Sequence, residues 1–211
     1  MSKKLPSERI GDFLKTLTED HQVIIPIKTR EAIYFAPYSD GLELCLDRYA
    51  VLSPKEYLFP SSEKLFSFQY RKSEQDVSRT EVVIKSEATS QKTVIFGARP
   101  CDVSGFVTFD KVYAGNGYRD PFYEARRKAV IFIALTCDNP ANTCFCTSVG
   151  GSPAATQGVD VLLTKIGGDY LVESFTPEGE TIIKNPIFKY ADYLDEKKAT
   201  EVKQSAIEKV T

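Results

Sequence analysis

Apolar residues recur along the chain in several rhythms, and each predicts a different kind of element. Behind Ser7, the residues Ile10, Phe13, Leu14 and Leu17 fall at helical spacing, which predicts a short amphipathic helix with Ser7 as its N-cap. Residues 22–28 and 31–37 are rich in Val, Ile, Tyr and Phe and are separated by Thr29-Arg30. Residues 42–46 follow the turn signal Ser39-Asp40-Gly41, so the three runs together predict an antiparallel meander. Ser53-Pro54 then opens a short predicted helix that stops at Pro60; its Tyr57, Leu58 and Phe59, with Phe66 beyond, read as core or as a docking surface for a partner. Residues 73–81 are polar and predict a loop.

In the second half the rhythm changes to unbroken apolar runs. Residues 92–98 and 129–135 read as buried strands, with helical patterns over 102–114 and 120–128 between them. Strand, helix, helix, strand predicts a parallel pair joined by a crossover. Residues 158–165 and 169–175 alternate around Gly167-Gly168, a hairpin signature. The expected fold class is therefore α/β (α+β): an N-terminal antiparallel meander, a mixed sheet with crossover helices, and a C-terminal hairpin. A single domain is expected over 1–189, with the charged, helix-prone stretch 190–211 a terminal helix or linker.

Composition narrows the function more than the fold. A chain of 211 residues with 42% hydrophobic residues can build a core without a metal, and a net charge of -2 gives no general attraction to nucleic acid or anionic lipid. No window approaches the roughly 18 continuous apolar residues of a membrane span, and no apolar run follows the two N-terminal lysines, so a cytoplasmic protein or a member of a soluble complex is expected. Five cysteines are too few and too clustered for a secreted disulfide framework.

Four of those cysteines follow the two buried strands, in Phe96-Gly97-Ala98-Arg99-Pro100-Cys101-Asp102 and in Thr136-Cys137-Asp138-Asn139-Pro140-Ala141-Asn142-Thr143-Cys144-Phe145-Cys146. Both sets of thiols should emerge side by side at strand ends, where an α/β sheet keeps its chemistry. Cys101, at the expected start of a helix, should have a lowered thiol pKa. Cys144 and Cys146, one residue apart, cannot pair without strain and read as two ligands of one centre. Cys101, Cys137, Cys144 and Cys146 can thus hold a 4Fe-4S cluster, with zinc as the alternative, and a nucleophilic Cys101 is a third reading. Their spacing is neither the ferredoxin run nor a zinc hairpin. Arg99, Arg126 and Arg127 would offset the charge of a cluster, while the Gly150-Gly151 turn would offer N–H groups to its sulfurs. Cys45, inside the predicted strand 42–46, reads as a structural thiol, and His21 as a surface residue.

The motifs Ser53-Pro54-Lys55-Glu56-Tyr57-Leu58-Phe59-Pro60, Arg99-Pro100-Cys101-Asp102, Asp120-Pro121-Phe122-Tyr123 and Thr143-Cys144-Phe145-Cys146 occur in the order of, and resemble, the iron-sulfur subunit shared by anaerobic sulfite reductase (its A subunit) and the cytoplasmic nickel-iron sulfhydrogenases (their beta subunit). The resemblance runs over residues 52–172. It implies a non-catalytic subunit relaying electrons between a flavin- and nicotinamide-binding partner and a catalytic or ferredoxin-like redox subunit. It also implies a ferredoxin-like continuation with further clusters. No cysteine follows Cys146 here, so one cluster is expected, in a short standalone version or a fragment. No Gly-x-Gly-x-x-Gly loop follows a predicted strand, so reduction should come from another protein, placed against residues 57–66 or the stretch beyond Tyr190.

Overall fold

The computed structural model describes residues 2–30, 32–74, 78–86, 88, 90–115 and 117–210. Strands β1 (Lys3–Pro6), β2 (Gln22–Lys28), β3 (Ile33–Pro37), β6 (Thr93–Ala98), β7 (Val130–Leu135), β8 (Val161–Ile166), β9 (Asp169–Ser174) and β10 (Lys189–Tyr190) form one sheet in the order β10-β1-β9-β8-β7-β6-β2-β3. The central four, β2, β6, β7 and β8, run parallel, while β3 on one side and β9, β1 and β10 on the other are antiparallel to their neighbours. A separate hairpin is made by β4 (Ser67–Lys72) and β5 (Thr80–Lys85).

Two apolar layers cover the sheet, and the period of two along each strand divides side chains between them. Val94 and Phe96 of β6 and Ile133 and Leu135 of β7 join α1 (Ile10–Leu17) and α4 (Pro177–Ile183), with Phe13 edge-on to both Phe96 and Phe188. Ile95, Phe132 and Ala134 face the opposite way, towards Val103 and Phe106 of α2 (Pro100–Tyr113) and Tyr123 of α3 (Pro121–Ala129). Burial on both faces is why β6 and β7 read as unbroken apolar runs. On the β8–β9 side, α5 (Tyr193–Glu208) buries Ala199 against Ile166 and Leu171.

The mixed α/β class and the parallel β6–β7 pair with its crossover agree with expectation. So do α3, whose Asp120 side chain accepts from the N–H groups of Phe122 and Tyr123, and the β8–β9 hairpin.

Several local expectations give way to tertiary pairing. The third strand of the meander shrinks to one bridge, Ile27 to Leu44, and Glu31, its second strand's expected start, lies outside the described residues. Ser7 begins a 3-10 turn, Ser7–Arg9, instead of capping α1, and the Ser53-Pro54 segment forms only the 3-10 turn Pro54–Tyr57. The expected loop 73–81 is shorter, since Thr80 and Glu81 start β5; residues 75–77 lie outside the described residues. His21 is not a plain surface residue: its Nδ1 is buried without a hydrogen-bond partner among the described residues. The sequence does not predict β1, β10 or α4, because each is short or pairs only through distant sequence, nor the β4–β5 hairpin, whose two strands are almost wholly exposed.

Candidate metal centre

The carboxyl ends of β6 and β7 lie side by side, with Ala98 opposite Ala134, and each strand delivers a cysteine within three residues of its end. A bulge between Phe96 and Ala98 turns the chain off β6. Gly97 makes the bulge possible: its φ is +79°, and a Cβ there would lie 2.9 Å from Leu46 Cδ2 and 3.1 Å from Pro26 Cγ. Pro100 then opens α2, Asp102 accepts from the Arg99 N–H at 3.2 Å, and Cys101 sits in the first turn.

Arg99 ties this corner together. Its buried guanidinium donates to the carbonyls of Thr136 (3.0 Å), Leu46 (2.7 Å) and Arg48 (3.3 Å), joining the end of β6, the end of β7 and the segment after β3. The planar fork of Arg suits three such acceptors. The end of β7 is fixed further by a buried hydroxyl pair, Thr136 with Thr164 at 2.8 Å, and by the Cys137 N–H donating to Pro153 O at 2.9 Å.

Cys144 and Cys146 come from the loop that follows. The Cys144 N–H donates to Ala141 O, and Cys144 Sγ accepts from the Ala141 N–H at 3.2 Å. The 3-10 turn Thr147–Val149 closes at Gly150, whose φ of +77° is the left-handed conformation. All five cysteines are free thiols.

The thiols lie close enough to act electrostatically on one another. Cys101 stays accessible to solvent, yet the protein packed around its sulfur pushes the thiol up to about 11, with Asp102, Cys137 and Cys146 adding to the rise. Burial likewise raises Cys137, opposed by the Arg99 charge and reinforced by Cys144, Asp138 and Cys146. The expected lowering of the Cys101 pKa at a helix start is therefore overturned: desolvation and three acidic neighbours outweigh the backbone N–H groups. Among the described residues no three His, Cys, Asp or Glu side chains are grouped so as to hold one metal ion, so the thiols are gathered but not closed into a tetrahedral site.

Other expected contributors are placed elsewhere. The Gly150 and Gly151 N–H groups, expected to face cluster sulfurs, donate instead to Thr147 O (3.1 Å) and Cys146 O (2.8 Å). Arg126 pairs with Glu63 and donates to Leu58 O, and Arg127 pairs with Asp110 at 3.2 Å, so neither is free to balance charge at the cysteines. Cys45 is half-buried in a loop, its N–H donating to Pro26 O. The contacts invisible in the sequence are the three carbonyls at Arg99 and the bond from Lys209 Nζ to Asp138 O at 2.9 Å, which pins the end of α5 beside Cys137.

No family model matches the chain, and no solved structure does. Among curated proteins, sulfhydrogenase 2 subunit beta of Pyrococcus furiosus is 30% identical over 185 residues, 85% of this chain. The chain is thus similar, over most of its own length, to a sulfhydrogenase beta subunit. It spans about half the length of that relative, 50%. By its name, the relative is one subunit of a sulfhydrogenase. Both cysteine stretches lie in a chain matched over most of its length, and among the described residues no helix is long and apolar enough to cross a membrane.

Proposed function

We propose that the chain is an electron-transfer subunit that holds one 4Fe-4S cluster through Cys101, Cys137, Cys144 and Cys146. It would pass electrons between a flavin- and nicotinamide-binding subunit and a catalytic or ferredoxin-like redox subunit, as in a sulfhydrogenase or an anaerobic sulfite reductase. The observation that supports the reading is that Cys101 and Cys137 follow the ends of two adjacent parallel strands, and that Cys101 is raised by Cys137 and Cys146, and Cys137 by Cys144 and Cys146, all four being free thiols. Such a group of soft donors is stabilised when iron replaces the protons. A cluster would supply one-electron redox chemistry; the protein's part is to present the thiolates, to set the buried Arg99 charge beside Cys137, and to fix the loop through Thr136 and Pro153. Zinc, the alternative for the same thiols, would need the four sulfurs drawn around one ion at about 2.3 Å each.

Anaerobic purification tests the reading. The expected product is brown, contains iron and sulfide, and bleaches on reduction; a colourless protein with one zinc ion would overturn it. Serine at any of Cys101, Cys137, Cys144 or Cys146 should lower iron content and visible absorbance. Cys45→Ala should retain both and cost under about 1 kcal/mol, because its side chain is only half-buried.

A further inference from the structure

The β4–β5 hairpin lies outside the main sheet, and nearly every residue of its two strands is exposed. Its register sets Phe68 opposite Ile84 and Tyr70 opposite Val82, so these four share one face, where they are 54% to 72% accessible. Arg71 lies opposite Glu81, and Ser67 opposite Lys85, on the other face. A two-stranded hairpin is marginally stable in water and gains from further strands. The outer edge of β5 has room for one: among the described residues no backbone hydrogen bond reaches residues 80–85 from any strand but β4. β4 carries Arg71 and Lys72 and no acidic residue, a charge that blunts an edge, whereas β5 carries one charge of each sign, Glu81 and Lys85.

We infer that β5 is a dimerisation edge, along which it pairs antiparallel with β5 of a second copy about a twofold axis through Val83. The occupant follows from the order of residues in the strand. Pairing centred on Val83 sets Glu81 opposite the second copy's Lys85 and Lys85 opposite its Glu81, so two ion pairs form at once. The same register sets Val82 opposite Ile84 and Thr80 opposite Ser86, apolar against apolar and hydroxyl against hydroxyl. Even-numbered residues then meet even-numbered ones, so the apolar faces of the two hairpins continue across one four-stranded sheet. Other registers lose this match. A centre on Val82 sets Glu81 against Val83, a centre on Ile84 sets Val83 against Lys85, and a centre between two residues turns one copy's apolar face against the other's polar face. A strand that is its own complement in charge and polarity selects a second copy of itself, as self-complementary surfaces do in twofold dimers. The inference goes beyond the electron-transfer reading and does not depend on metal at the cysteines.

Analytical ultracentrifugation of the whole chain provides the test. The parent should be a dimer at micromolar concentration. Glu81→Lys places two like-charge pairs across the axis, as does Lys85→Glu, and either variant alone should raise the monomer–dimer dissociation constant by about tenfold. Mixed in equal amounts, the two variants should recover the parent's affinity, because every Lys then faces a Glu. Damage to the hairpin itself would not be repaired by mixing. Hydrogen exchange over 80–85 should be slower in the dimer than in the monomer obtained by dilution. A parent that stays monomeric at its highest soluble concentration would overturn the inference. So would a dimer that neither variant weakens, which would lie on another surface, or two variants that fail to associate when mixed. Protection of 80–85 by a different protein alone would make that protein the occupant and overturn it equally.

Discussion

At Cys101 two influences on a thiol oppose each other. The amides that open α2 favour a thiolate, while burial, Asp102, Cys137 and Cys146 disfavour it, and the second group prevails. In the iron-free protein, alkylation of Cys101 should therefore be slow near pH 7 and accelerate towards about 11, as followed by mass spectrometry. Between the ordinary value of 9.0 and about 11 the folded thiol keeps a proton that the unfolded chain has released, so stability of the iron-free form should fall across that window. Rapid labelling at neutral pH would contradict this. Arg99 acts at the same scale through geometry. Arg99→Met leaves the carbonyls of Leu46, Arg48 and Thr136 without their donor and should cost about 2 to 4 kcal/mol in urea denaturation, with Arg99→Lys recovering only part, because a point charge lacks the fork.

Among the elements, α5 shows how a charged, weakly apolar segment becomes part of the body. Asp192 caps it, accepting from the Asp195 N–H at 2.9 Å, and Asp195 returns the bond to the Asp192 N–H. Asp195 also pairs with Lys4 of β1 at 2.9 Å, tying the last helix to the first strand. The hydrogen bond from Lys4 is the main reason the Asp195 carboxyl lies below its ordinary value of 3.8. The folded state thus binds this proton less readily than the unfolded chain, so the pair stabilises above that pH and its contribution fades as acid protonates Asp195. Asp195→Asn should lower stability by about 1 kcal/mol at pH 7, and the difference from the parent should shrink in acid unfolding below pH 4. A constant difference across that range would rule out the Lys4 linkage.

For the whole molecule, the parallel strands are joined to one another by ladders of backbone bonds, whereas the cysteine loop is held mainly by short-range turns of its own. Removing iron should raise hydrogen exchange over 137–151 first and leave β6, β7 and β8 protected, because metal binding adds folding free energy only where it joins separate segments. Uniform exchange in the two forms would contradict that. The sequence alone determined what depends on local period and residue type: the buried strands β6 and β7, their crossover, the Asp120-Pro121 helix start, the Gly167-Gly168 hairpin, and the arrival of cysteines at two strand ends. Those features are set by the alternation and capping of neighbouring residues, which a sequence displays directly. Tertiary structure decided the rest. β1 is a strand only because β9 and β10 flank it, and residues 42–46 lose theirs because Leu46 is drawn onto Gly97 and its carbonyl onto Arg99. Arg126 and Arg127 turn to Glu63 and Asp110, and Cys101 is raised instead of lowered, because long-range charge and desolvation are properties of who is nearby in space, which no spacing along the chain records.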